Sequence, residues 1–295
     1  MSISSGLSTA LVRGLSRSLV LSDVLSLLLD DYSGAVAAYS VRKLRNAQIL
    51  CMRVRRSSDN TEQDIGFDGL DLDTTALTNF VGSGNGFLVV MYDQSGNGND
   101  ATQTTAASQP KIVNSGNAVT KNGKPALDFD GNDDALLNLN QIFSGTANAT
   151  TFTVHETSET SFDSPIISIG DLNNGDGKSN MNSPEYGMRV GNGFKIFNTS
   201  ANGTQSLFTA ISSGPNITDL QGYLNGSELS VSNDKTQLID YTGGICIAGQ
   251  LDTLQGDNIR NYGDVRIQEA VIYNSDQSAN RTDIENNINN YYTIY

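Results

Sequence analysis

Near residue 49 the spacing of the apolar residues changes from three or four to two, and that switch limits the chain to a mostly β fold behind a helical start. Upstream, Leu7, Leu11, Leu15 and Leu19, then Leu21, Val24, Leu25, Leu28 and Leu29, form one helical stripe with Ser4 or Ser5 as N-cap. Asp30-Asp31-Tyr32-Ser33-Gly34 interrupts it, and Ala35, Val36, Ala38, Tyr39, Val41 and Leu44 predict a further helix ending near Arg45-Asn46. Downstream the residues alternate, as in Cys51, Arg53 and Arg55 against Met52 and Val54. Strands are predicted at 152–154, 166–169, 186–190, 194–197, 207–211, 220–224, 229–231, 245–247 and 265–273. Asn225-Gly226 is the clearest hairpin turn between them, since both central residues of a type I′ turn need positive φ. A last helix over 278–292 presents Ile284, Ile288 and Tyr291 or Tyr292 on one face. Many short strands with few helices after residue 80 mean an all-β, antiparallel two-sheet sandwich preceded by an α-helical N-terminal segment. Residues 1–45 are expected to form the helical segment and 46–295 the sandwich. The leucine stripe either covers a face of that sandwich or serves as an anchor, docking on a partner or on copies of itself.

Charge narrows the partners. Eighteen basic and thirty-two acidic residues give −14, which repels nucleic acid and anionic membrane surfaces. The longest aliphatic run there, Leu27-Leu28-Leu29, is far too short to enter a bilayer. Arg13 and Arg17 inside the first apolar stretch argue against a secretory signal. Cys51 and Cys246 are too distant for their count alone to establish a bridge. His155, the single histidine, is expected at an exposed strand position, without the partners a zinc site needs. Arg53, Arg55 and Arg56 form the one basic cluster of note, and on an acidic protein they are expected to pair internally, with Asp59, Glu62 or Asp64.

Two segments carry a resemblance. Gly222-Tyr223-Leu224-Asn225-Gly226-Ser227-Glu228-Leu229, then Asp264-Val265-Arg266-Ile267-Gln268-Glu269-Ala270-Val271-Ile272-Tyr273-Asn274 and the closing helix, resemble the end of laminin-G-like, concanavalin A-like jelly-roll domains. That resemblance implies a jelly-roll sandwich of the kind lectins, carbohydrate-binding modules and some glycosidases use. Ala37-Ala38-Tyr39-Ser40-Val41-Arg42-Lys43-Leu44, then Val54-Arg55-Arg56-Ser57-Ser58-Asp59, then Met91-Tyr92-Asp93-Gln94-Ser95-Gly96-Asn97-Gly98-Asn99-Asp100, resemble the opening of the α-L-arabinofuranosidase B catalytic domain. The same opening, with Gln109-Pro110 and the strand Gly123 to Gly131, is similar to modules of bacteriophage tail and other virion proteins.

The arabinofuranosidase resemblance implies retaining hydrolysis with two carboxylates about 5 Å apart. The stretch aligned with that family's nucleophile, Ile167 to Asn174, has no Glu at the expected place, and Asp171 is displaced from it. Glu156 and Asp163 read as solvated surface. Asp93, Ser95 and Asn97, followed by Gly98, repeat the opening of a calcium loop, but Thr104 stands where the bidentate Glu belongs, so the same residues also suit a structural turn. The polar loops 171–182 and 250–262 are the expected ligand-facing rims.

The expectation reached is a non-enzymatic bacteriophage virion protein, a tail or capsid fibre that binds host surface glycans. It would attach to other virion proteins through residues 1–45, assemble as a homo-oligomer such as a trimer, reside in the virion, and carry no certain cofactor beyond the calcium candidate. The alternatives are a virion decoration or cement protein without sugar binding, and third, an arabinofuranosidase-like glycoside hydrolase.

Overall fold

The computed structural model describes residues 27–157, 164–169, 179–183, 185–190, 193–200, 203–235, 241–252 and 258–295. The leucine stripe up to Leu25 and the candidate Asp171 lie outside the described residues.

The last strand, Asp264–Tyr273, organises the first sheet. One edge pairs with Asn148–Glu156, and the other is shared by Leu127–Asp130 along its first half and Ala35–Ser40 along its second. Beyond Asn148–Glu156 follow Ser206–Ser213 and Leu220–Leu224, and beyond Leu127–Asp130 come Lys111–Asn114, Gly86–Met91, Leu50–Arg56 and Glu62–Asp68. The second sheet runs Ala101–Thr102, Leu136–Thr146, Tyr241–Ile247, Ser164–Ile169, Ser179–Ser183, Glu185–Val190, Gly193–Ser200 and Val231–Lys235. All these pairings are antiparallel. The sheets join at one corner, because Gly86–Met91 bonds Lys111–Asn114 at one end and Ala101–Thr102 at the other. Phe197 of the second sheet fills the space between them, 6.3 Å edge-on from Phe208 and pressed against Gly222 of the first. This is the expected all-β sandwich.

The outer face of the first sheet is covered too, which is why Asn148–Glu156 is buried along seven successive residues. The covering element is the C-terminal helix Arg281–Tyr292, whose Ile284, Ile288 and Tyr292 recur every fourth residue and are buried. Beneath it Arg42 forms a two-pronged ion pair with Glu269, Nε to Oε2 at 2.7 Å and Nη2 to Oε1 at 2.9 Å, and Ser40 Oγ donates to the same carboxylate at 2.7 Å. Thr209 Oγ1 donates to Glu285 of the helix at 2.7 Å.

Two local expectations are corrected. Ala35–Ser40 is a strand, not a helix: its residues are nearly all apolar, so periodicity cannot separate the two, and pairing with the last strand decides. Of the leucine stripe, Leu28 and Leu29, in a short helix Leu28–Asp31, are buried in the sandwich's own core, in line with the first of the two expected roles for these two residues. His155 is buried rather than exposed, opposite Ser206, and burial pushes its imidazole down to about 4. Its expectation failed because polar Thr and His alternate here with apolar residues on a strand whose two faces are both covered. Cys51 and Cys246 are buried free thiols. Among the described residues no helix is long and apolar enough to cross a membrane.

Candidate functional site

The turn Asp93 to Asp100 does bring the calcium candidates together. Asp93 Oδ1 accepts from the Ala38 and Ser95 amides at 2.9 and 2.8 Å, and Oδ2 from Ser95 Oγ and the Asn99 amide at 2.6 and 3.0 Å. Asn97 Nδ2 donates to the Ala35 carbonyl at 2.9 Å and to Ser95 Oγ at 3.0 Å. Gln94, wholly buried, accepts from the Leu44 amide and donates to the Ser40 and Arg42 carbonyls. The chain itself therefore fills the acceptor positions of the Asp93 carboxylate, and a cation there would compete with four donors. The motif Tyr-Asp-Gln-Ser-Gly-Asn-Gly-Asn works as a clasp that fixes the first strand.

The basic cluster pairs internally. Arg53 meets Asp64 and Arg56 meets Asp59, each at 2.7 Å, while Arg55 donates to Gln109 at 2.7 Å. Glu156 faces Lys121 and Arg266 at 3.5 and 3.3 Å; Asp163 lies outside the described residues.

A different group of carboxylates forms no ion pair among the described residues. The strand Leu127–Asp130 turns through Asp130-Gly131-Asn132-Asp133-Asp134 into Leu136–Thr146. Asp130 accepts from the Asn132 amide at 2.9 Å, the side-chain bond that closes an Asx turn, and Asp134 Oδ2 accepts from the Asp130 amide at 3.3 Å. Gly131, at φ +73°, is required because a Cβ would sit 2.9 Å from Asp264 Cβ and 3.2 Å from its amide nitrogen. One oxygen from each of Asp130, Asp133 and Asp134 lies within 4.8 Å of the others.

Among the described residues none of the three carboxylates forms an ion pair, and their titration splits. Burial and then the charges of Asp130 and Asp133 push Asp134, 7% exposed, up to about 6. Burial acts upward on Asp130 also, but the donors of Asn132, Asp133 and Asp134 together hold it below the usual carboxylate value. Ser108 Oγ donates to Asp133 at 3.3 Å. Half-buried Tyr262, in the expected rim 250–262, packs against Cys246 and against Ala135, next in sequence to the acidic turn, and its phenol is raised by burial and then by Cys246 and Asp133.

Chemically, the turn offers a proton held near pH 6 beside an ionised carboxylate, the split by which one residue serves as acid and its neighbour as base or nucleophile. Its three oxygens are also of the type hard divalent cations accept. Sequence reasoning stopped at Gly131 and missed it. The signal was three carboxylates in five residues at a strand's end.

No family model matches the chain, and no curated protein matches its sequence. Solved structures do match in fold. A GH54 α-L-arabinofuranosidase soaked with a cyclic sulfate inhibitor superposes with a TM-score of 0.62 at 16% identity, covering 88% of this chain and 64% of that one. Its E221Q mutant, soaked with 4-nitrophenyl α-L-arabinofuranoside, gives 0.61, and an arabinofuranosidase complexed with arabinofuranosyl-α-1,2-xylobiose gives 0.59 at 17% identity, both with the same coverages. The chain thus spans just under two thirds of the length of these neighbours. They agree with the resemblance of the opening segment and correct the expectation of a non-enzymatic virion fibre: the sandwich that was read as a phage adhesin matches chains that are glycoside hydrolases.

Proposed function

We propose that the protein is a β-sandwich glycoside hydrolase acting on α-L-arabinofuranosides or closely related furanosides. The observation that carries the reading is the superposition of 88% of the chain on arabinofuranosidases. The acidic turn adds chemistry suited to it. In this mechanism Asp134, which titrates near 6, protonates the leaving oxygen, and ionised Asp130 stabilises or attacks the anomeric carbon. With an oxygen of each carboxylate within 4.8 Å of the other, the pair is on the close side that suits retention and leaves no room for the water that inverting enzymes place between their carboxylates. Asp134 then takes a proton from the water that releases the sugar. Tyr262 supplies an aromatic edge for the ring.

The test is release of nitrophenolate from 4-nitrophenyl α-L-arabinofuranoside by the full chain, with the anomer of the first product followed by NMR. Turnover with retention is expected, and Asp134→Asn is expected to lower kcat by about 10²–10⁴-fold. No release above the blank overturns the hydrolase reading. Full activity in Asp134→Asn with loss in Asp171→Asn moves the acid to Asp171.

A further inference from the structure

Beside the acidic turn, the strand Leu136–Thr146 leaves its ladder. Asn138 faces Ile245 and Phe143 faces Gly243, so the four residues between them stand against Gly244 alone. A Cβ on Gly244 would lie 2.0 Å from the Asn138 carbonyl oxygen, so this bulge closes only over glycine. The bulge turns Leu139 outward, where it is 52% exposed. With Asp100 and Thr104 across from it, a groove of about 300 Å³ results.

The groove is held in shape from within. Buried Asn138 donates from Nδ2 to the Asp100 carbonyl at 3.0 Å and accepts from the Asn140 amide at 2.9 Å. Asp100 Oδ1 accepts from the Asp93 amide at 2.8 Å. The other Asp100 oxygen, the Thr104 hydroxyl and Asn140 Oδ1 have no hydrogen-bond partner among the described residues. No cationic side chain lines the groove.

We infer that this groove binds one ring of a neutral sugar chain as an accessory subsite. Fixed carboxylate, amide and hydroxyl groups on opposite walls suit the hydroxyls of a sugar, and Leu139 supplies the apolar contact for its C–H face. The volume is at the lower end for a ligand site and fits a single ring better than a larger group. An anionic ligand would meet Asp100 with nothing to neutralise it. One wall of the groove is tied to the chain just past the acidic turn: Gln103 donates to the Ala135 carbonyl at 3.0 Å. Asn138 stands four strand steps beyond Asp134, about 13 Å along extended chain, a distance that a sugar chain of a few rings can span. The inference rests on the proposed hydrolase only for what lies at that other end.

The experiment measures binding without turnover. Xylotetraose, arabinotetraose and the anionic tetragalacturonate are titrated into the full chain by calorimetry and by ligand-observed NMR. At least one neutral tetrasaccharide is expected to bind and tetragalacturonate is not. Thr104→Arg, at an exposed position, fills the groove and is expected to abolish binding, while Leu139→Ser weakens it roughly fivefold; unchanged melting temperatures confirm that both variants fold. Absence of binding by both neutral probes, equal binding of tetragalacturonate, or unchanged affinity in Thr104→Arg overturns the inference. Binding that Thr104→Arg removes, in a protein that releases no nitrophenolate, upholds the groove and rejects the hydrolase.

Discussion

Two buried carboxylates, Glu269 under the C-terminal helix and Asp134 at the end of the sandwich, meet opposite surroundings. Glu269 takes both prongs of Arg42 and the Ser40 hydroxyl, and the guanidinium itself lies among the rings of Tyr291 and Tyr292. Asp134 has one amide donor, two further carboxylates for neighbours and only the weaker opposing charge of Lys111, which does not reach it as an ion pair. The first arrangement fastens a helix to a sheet. The second keeps a carboxyl protonated close to neutrality, which costs stability and is tolerated where the proton has a use. Compensation, more than burial, separates a structural charge from a reactive one.

Breaking the compensated side should have the largest effect. Arg42→Ala leaves Glu269 charged and buried, and a loss of about 3–5 kcal/mol is expected in urea unfolding; a loss under 1 kcal/mol would mean that the helix does not depend on the pair. Next comes the buried His155. Its folded value of about 4 lies below the ordinary 6.5, so below 6.5 the unfolded chain takes up a proton that the folded chain refuses. Stability is full above pH 6.5 and is lost as pH falls toward 4, by roughly 3 kcal/mol in total. His155→Gln should flatten that part of the profile.

Asp134 has the opposite sign. Its folded value of about 6 lies above the ordinary 3.8, so its contribution is favourable below 3.8 and is lost as pH rises through 6. Asp134→Asn should therefore stabilise the protein by about 2 kcal/mol at pH 7 while removing activity, and the gain should vanish toward pH 4. Destabilisation at pH 7 would make Asp134 a structural residue like Glu269. The smallest effect is expected at Arg53, whose pair with Asp64 is 41% and 33% exposed; Arg53→Ala should cost less than about 1 kcal/mol, and less again in high salt.

Much of the sandwich was legible because strand alternation and turn chemistry are local. Asn225 and Gly226 adopt the expected positive φ, 50° and 78°, and the strands expected at 166–169, 207–211 and 265–273 form. Ala35–Ser40 was misread because its assignment depends on a partner more than two hundred residues away. The motif Asp93 to Asp100 carried two resemblances, to an arabinofuranosidase opening and to virion modules, and the solved structures agree with the first; its polar side chains bind the chain's own backbone, so they report how the sandwich opens and say little about what it acts on.

The sequence by itself determined the all-β class, the turns and the closing helix, since these follow from spacing of two or four residues and from which residues tolerate positive φ. Only the tertiary structure decided which charges were neutralised and which were left to oppose one another. Arg42 reaches Glu269, and the bulge at Asn138 closes on Gly244, through contacts distant in the chain. The energy of a buried charge depends on what stands within a few ångströms of it, and residue order does not specify that until the chain has packed.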